Sequence, residues 1–127
     1  MNLVAVVIGL ALVEFFVFGL LVGRARQQYG VAAPAMSGHP IFERYMRVHQ
    51  NTMEQLVVFV PAMVLFGMYV SGRLGAVLGL VWIAGRVVYL RGYVADPAKR
   101  STGFALSALP QLILLLGGIL GALYRAL

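Results

Sequence analysis

The chain has 127 residues, 61% of them hydrophobic, with a mean hydropathy of +0.91 and a formal net charge of +6. That is one domain's worth of polypeptide, and it is too apolar to cover a core with polar surface as a small soluble protein must. It has no cysteine, which excludes disulfides, protein thiol chemistry and Cys-based metal centres; any sulfur chemistry must use a sulfur that a ligand brings.

Four apolar segments stand out, at residues 2–22, 56–70, 74–90 and 103–124. A helix needs about 20 residues to cross the hydrocarbon of a bilayer. The outer two segments meet this alone, and the inner two meet it if they extend toward Phe42 and Tyr93. Runs such as "LILLLGGILGAL" have no period-two alternation, so membrane strands are excluded. The expectation is an all-α, single-domain integral membrane bundle running up-down-up-down, with helices near 2–24, 41–70, 73–94 and 101–125.

The first helix lacks a basic flank before it and is interrupted by Glu14, so it reads as a retained span rather than a cleaved leader. "GRARQQYG" closes it, with Gly30 as the stop. The loop "VAAPAMSGHP" is too apolar for a free linker and is expected to fold over something. Helix two starts after Pro40. "VSGRLG" is a tight turn that makes helices two and three antiparallel neighbours. Asp96-Pro97 forms the last turn, with Ser101 or Thr102 as a cap for helix four. Pro61 and Pro110 fall inside helices two and four.

The charge distribution argues against nucleic acid as a partner. Arg24, Arg26, Arg44, Arg47, Arg91, Lys99 and Arg100 flank one side of the spans, whereas Arg73 and Arg125 flank the other. This positive-inside bias places the basic loops in the cytoplasm and both termini opposite. Setting topology is reason enough for Arg24, Arg44, Arg91 and Lys99.

It does not account for "FERYMRVHQNTMEQ", residues 42–55. Arg44, Arg47, Asn51 and Glu54 recur at spacings of three, four and three, which puts them on one helix face at the inner boundary. Arg86, Tyr89 and Tyr93 share a face of helix three in the same way, and Arg100 lies just beyond. Ionisable groups at such depth face protein or water rather than lipid. Glu54 and Arg86 can be read as an interhelical polar brace, the tyrosines as interfacial aromatics, and Glu14 as an interhelical hydrogen-bonding group. His49 can meet a ligand or a subunit contact, and with His39 it makes no metal motif. Together the set suits a small zwitterion with more negative than positive charge: arginines take carboxylates in two-point contacts, Glu54 receives an ammonium, and Asn51 orients an amide. Glutathione fits that description and carries the thiol this chain lacks.

At these residues the chain resembles the MAPEG superfamily, the membrane-associated proteins of eicosanoid and glutathione metabolism, with the type-3 microsomal glutathione transferases as the nearest branch. "RVHQNTMEQ" is similar to the family's R-x-x-x-N-x-x-E element, and "LGLVWIAGRVVYLRGYVADPAKRSTG" to its third helix and following loop. The resemblance implies a homotrimer with glutathione held between subunits near the cytoplasmic face. Arg47, Asn51, Glu54, Tyr89 and Tyr93 would bind it, Arg26 and His49 would be offered by the adjacent subunit, and Arg100 would activate the thiol. It implies glutathione as co-substrate, no metal, and a hydrophobic electrophile or lipid hydroperoxide arriving through membrane lipid, giving transferase or peroxidase chemistry. Gln55, where leukotriene-forming members have an aromatic, and Arg24-Ala25-Arg26 in place of tandem arginines both argue against a dedicated leukotriene synthase.

Two other functions remain open to these residues. A small proton-coupled multidrug transporter would also have four helices and an acidic residue, here Glu14, in the first. A non-catalytic family member that binds lipid would not need the polar set with Arg100.

Overall fold

The computed structural model describes all 127 residues. Helix α1 spans Asn2–Tyr29, α2 Pro40–Tyr69, α3 Gly72–Ala95 and α4 Ser101–Ala126, with a 3-10 turn at Pro97–Lys99 before α4. There is no strand. Each helix is long and apolar enough to cross a membrane. The two-residue connection between α2 and α3, and the short one between α3 and α4, force antiparallel neighbours, so the bundle runs up-down-up-down. Helix α2 packs on all three others, while α1 and α4 flank it on separate sides.

Helix ends follow local chemistry. Helix α1 continues through the basic stretch to Tyr29 and stops where Gly30 takes a left-handed conformation, φ 67°, donating its N–H to the Arg26 carbonyl. Helix α2 begins with Pro40 in its first turn, and the His39 ring accepts from the Ile41 N–H at 3.1 Å. Ser71 caps α3 through Leu74 N–H at 3.1 Å. Neither Ser101 nor Thr102 caps α4, contrary to the sequence expectation. The backbone is already helical at Arg100, because Asp96 caps the preceding 3-10 turn by accepting from Ala98 N–H at 3.0 Å. Helices α2 and α4 run on through Pro61 and Pro110.

The main core lies toward the end of the bundle opposite the long loop, built from residues such as Val4, Val7, Phe59, Met63, Phe66, Trp82 and Leu114. There the Phe59 and Trp82 rings stack at 4.1 Å, and Trp82 Nε1 donates to Gln111 Oε1 at 3.0 Å, linking α2, α3 and α4. Outside this core the helices present an apolar belt, including Val13, Phe16 and Leu20 on α1 and Leu109, Leu112 and Leu120 on α4. In water such a belt would be a large liability; against hydrocarbon it is the expected outer surface.

The α1–α2 loop is folded back onto the helix ends. Val31 is buried with Val22, Ala25, Phe42 and Met46. Arg26 Nη1 donates to the Ala35 carbonyl, and the Tyr29 and His39 rings stack at 4.2 Å. A third small cluster, Phe18, Val48 and Tyr89, joins α1, α2 and α3 just behind the polar face of α2.

Candidate functional site

At the end of the bundle where α2 begins and α3 finishes there is a hollow of about 510 Å3. Helix α2 supplies Arg47, Gln50, Asn51 and Glu54, α3 supplies Tyr89 and Tyr93, and the start of α4 supplies Arg100, Ser101 and Phe104. The size falls within the roughly 300–1,000 Å3 of small-ligand clefts. Six residues nominated from the sequence thus share one space. The α2 face follows from spacing: positions 47, 50, 51 and 54 sit three and four apart.

The hollow is mounted on tight packing. A Cβ on Gly103 would fall on the Tyr89 backbone, and one on Gly85 would lie 2.7 Å from the Ser107 N atom. The absent side chains let α4 approach α3 closely enough for Arg100 and Phe104 to stand beside the tyrosines. The Tyr89 and Tyr93 rings are tilted at 5.7 Å, and Phe104 stands 6.4 Å from Tyr89. Arg44 takes no part in the hollow. Its Nη1 donates to the Val94 carbonyl at 2.9 Å, satisfying the exposed carbonyl end of α3 and fastening it to α2. Sequence spacing put Arg44 on the same polar stripe, with topology as reason enough for its charge; the structure makes it a helix-end brace.

Below the hollow lies Arg86, completely buried. Its Nη1 donates to Asn51 Oδ1 at 2.7 Å and to Thr52 Oγ1 at 3.3 Å, and its guanidinium carbon lies 4.4 Å from the centre of the Tyr89 ring. Arg86 therefore braces two of the residues that line the hollow. Glu14, expected to make an interhelical hydrogen bond, makes none: both carboxylate oxygens are buried without a partner.

Two nominated residues lie elsewhere on the protomer. Arg26 stacks over the Phe42 ring at 4.8 Å while holding the loop through Ala35. His49 stacks on Phe15 of α1 at 4.5 Å, two positions from Arg47 and Asn51 and so on the opposite side of α2. Gln50, Ser101 and Phe104 were missed from the sequence. Gln50 was findable, since it continues the stripe by the same spacing; Ser101 and Phe104 depend on where α4 starts.

The hollow combines two guanidinium groups, one carboxylate, two amides, two phenols and a hydroxyl. Arg47 and Arg100 against Glu54 leave one net positive charge, so the space favours a compact ligand with acidic groups and one cationic group.

The MAPEG family profile matches residues 4–120. The chain belongs to the MAPEG family. An uncharacterized protein of Synechocystis sp. is 43% identical over 95% of this chain and 88% of its own length. Human microsomal glutathione S-transferase 2 is 42% identical over 82% of this chain and 71% of its own length. Guinea-pig (Cavia porcellus) leukotriene C4 synthase is 33% identical over 84% of this chain and 71% of its own length. The transferase carries the type-2 name, whereas the motifs suggested the type-3 branch; the family is common to both. With four spans and this family membership, the protein is a multi-pass integral membrane protein.

Proposed function

We propose that the protein is a membrane glutathione transferase of the MAPEG family, which holds glutathione as its thiolate for attack on hydrophobic electrophiles. The observation that carries the reading is the convergence of Arg47, Asn51, Glu54, Tyr89, Tyr93 and Arg100 on one hollow. Relatives named as a glutathione S-transferase and a leukotriene C4 synthase support it.

The chemistry follows from charge. Glutathione carries two carboxylates and one ammonium, and a further negative charge once its thiol ionises. Arg47 is placed to take a carboxylate in a two-point contact, and Glu54 is the only carboxylate in the hollow for the ammonium. A free thiol near pKa 8.5 is only a few per cent ionised at neutral pH. Lowering that pKa by about two units needs about 2.7 kcal/mol of preference for the anion. One charge-assisted contact from Arg100, worth about 1.5–3 kcal/mol, supplies most of it. Arg100 stays protonated, so it is not a base: water takes the thiol proton, and the guanidinium holds the thiolate. The sulfur then forms a C–S bond to the electrophile, and the leaving group departs with its electron pair.

In the proposed homotrimer, Arg26 and His49, which face away from their own protomer's hollow, reach the neighbour's. The site lies at the cytoplasmic face by the distribution of basic residues, the electrophile enters from lipid, and a lipid hydroperoxide would make the same thiolate a reductant. Transport through Glu14 is disfavoured because it leaves the shared hollow of Arg47, Asn51, Glu54 and Arg100 without a use, and a cation exporter gains nothing from clustered arginines.

The test is glutathione titration of purified protein, followed by thiolate absorbance in the ultraviolet, together with conjugation to chlorodinitrobenzene. Wild-type protein is expected to develop the thiolate band at neutral pH and to turn over. Arg100→Ala is expected to bind glutathione, lack the band and lose turnover. No turnover in the wild type would move the reading to a non-catalytic lipid-binding member.

A further inference from the structure

Arg86 is an isolated cation inside a membrane bundle. Its residue surface is wholly buried, one nitrogen is satisfied by Asn51 and Thr52, and its Nε and Nη2 have no partner. A guanidinium so placed needs a counter-charge and acceptors for its remaining hydrogens. The carboxylate beside it is Glu14: Phe18 of α1 packs with Tyr89 of α3, and Glu14 and Arg86 lie one turn deeper on those same two helix faces. Both Glu14 oxygens are buried and equally unpartnered. Unsatisfied donors on one side and unsatisfied acceptors on the other, with no direct contact, is the pattern that a bridging water completes.

The consequence reaches the hollow. Arginine only donates, so the atom of Asn51 that meets Arg86 at 2.7 Å must be the amide oxygen. The Asn51 NH2 is then left for the hollow, and the ligand atom it meets must be an acceptor. Whatever fixes Arg86 therefore fixes which end of Asn51 the ligand sees.

We infer that Glu14 is a positioning residue for the ligand site: through bridging water it holds Arg86, and Arg86 holds the Asn51 amide with its donors facing the hollow. The inference rests on the reading of that hollow as a glutathione site. Glu14 itself touches no ligand. Its removal frees Arg86 to shift toward other acceptors and lets the Asn51 amide turn over, presenting its oxygen to a carboxylate or carbonyl of the ligand.

A double-mutant cycle separates positioning from general bracing. S-Hexylglutathione binding by calorimetry and steady-state conjugation are measured for wild type, Glu14→Gln, Asn51→Ala and the double variant, all as full chains in lipid nanodiscs. Glu14→Gln is expected to raise both the Kd and the KM for glutathione about tenfold, with kcat at saturation within about twofold of wild type. In the Asn51→Ala background the same change is expected to add less than twofold, because the residue through which it acts is gone. Glu14→Asp keeps the carboxyl group and runs the same cycle should the amide variant fail to assemble, with a loss of about threefold that again vanishes without Asn51. Equal losses in both backgrounds, or none in either, would overturn the positioning role. A wild-type protein that binds no S-hexylglutathione would instead remove the site reading itself, and this inference with it.

Discussion

Arg100 and Glu54 line the same hollow and are proposed to have opposite tasks, so their replacement should separate binding from chemistry. Arg100 is exposed, and its only partner is the Pro97 carbonyl at 3.3 Å, so its loss disturbs little of the bundle. Arg100→Ala should reduce kcat by roughly 10–150-fold, the loss of about 1.5–3 kcal/mol at one charge-assisted contact, with the KM for glutathione changed less than threefold. Arg100→Lys, which keeps the charge but not the fork, should fall between. An unchanged kcat with raised KM would reassign Arg100 to binding. Glu54→Gln should weaken glutathione about tenfold in calorimetry, yet leave the affinity for an analogue lacking the amino group nearly unaltered. If both ligands weaken equally, Glu54 does not receive the ammonium. The role proposed for Arg100 came only from the family resemblance. The place of Glu54 beside Arg47 and Asn51 was legible because charges three and four apart destabilise an apolar helix in lipid unless they share a polar face. Arg44 shows where that logic fails. It has the same spacing and the same charge, but it lies one turn nearer the helix start, opposite the free carbonyls of α3, and only the tertiary position of that helix end distinguishes it.

At the scale of elements the controlling feature is the approach of α4 to α3. Helix existence and order were readable from hydropathy and length, because a bilayer leaves few alternatives. The closeness of the two helices was not, since a glycine inside a hydrophobic run reads the same whether it faces lipid or a neighbouring backbone. Gly103 and Gly23 make the contrast. A Cβ at Gly103 would overlap Tyr89 backbone, while one at Gly23 has nothing within 4 Å. Gly103→Ala should therefore push the first turn of α4 away from α3, separating Arg100 and Phe104 from the tyrosines. Thermal unfolding is expected to drop by several degrees, corresponding to about 1–3 kcal/mol of overpacking, and turnover should fall at least tenfold. Gly23→Ala should hold activity and melt no lower, because alanine favours helix. Equal behaviour of the two variants would show that the α3–α4 contact does not govern the hollow.

The whole molecule raises a question that one protomer poses but does not answer, namely what Arg26 and His49 face. Both lie away from the hollow of their own chain, on the side where α1 meets α2, and nothing in residue spacing encodes a neighbouring copy. Cyclic symmetry makes the homotrimer proposal testable without a structure of the assembly. If each site takes Arg100 from one protomer and Arg26 from the next, then Arg26→Ala and Arg100→Ala cripple every site of their own homotrimers by different routes. In a trimer mixing the two, a protomer carrying Arg26→Ala still has Arg100, and a neighbour carrying Arg100→Ala still has Arg26. Wherever these stand in the right order round the ring, one complete site is restored. Random assembly from equal amounts places that order at about a quarter of all sites. Co-expression should thus recover about a quarter of wild-type activity at subsaturating glutathione, where mixing the two purified homotrimers recovers none. Sites complete within one protomer would give no recovery on co-expression, since every chain would still lack one of its own two arginines.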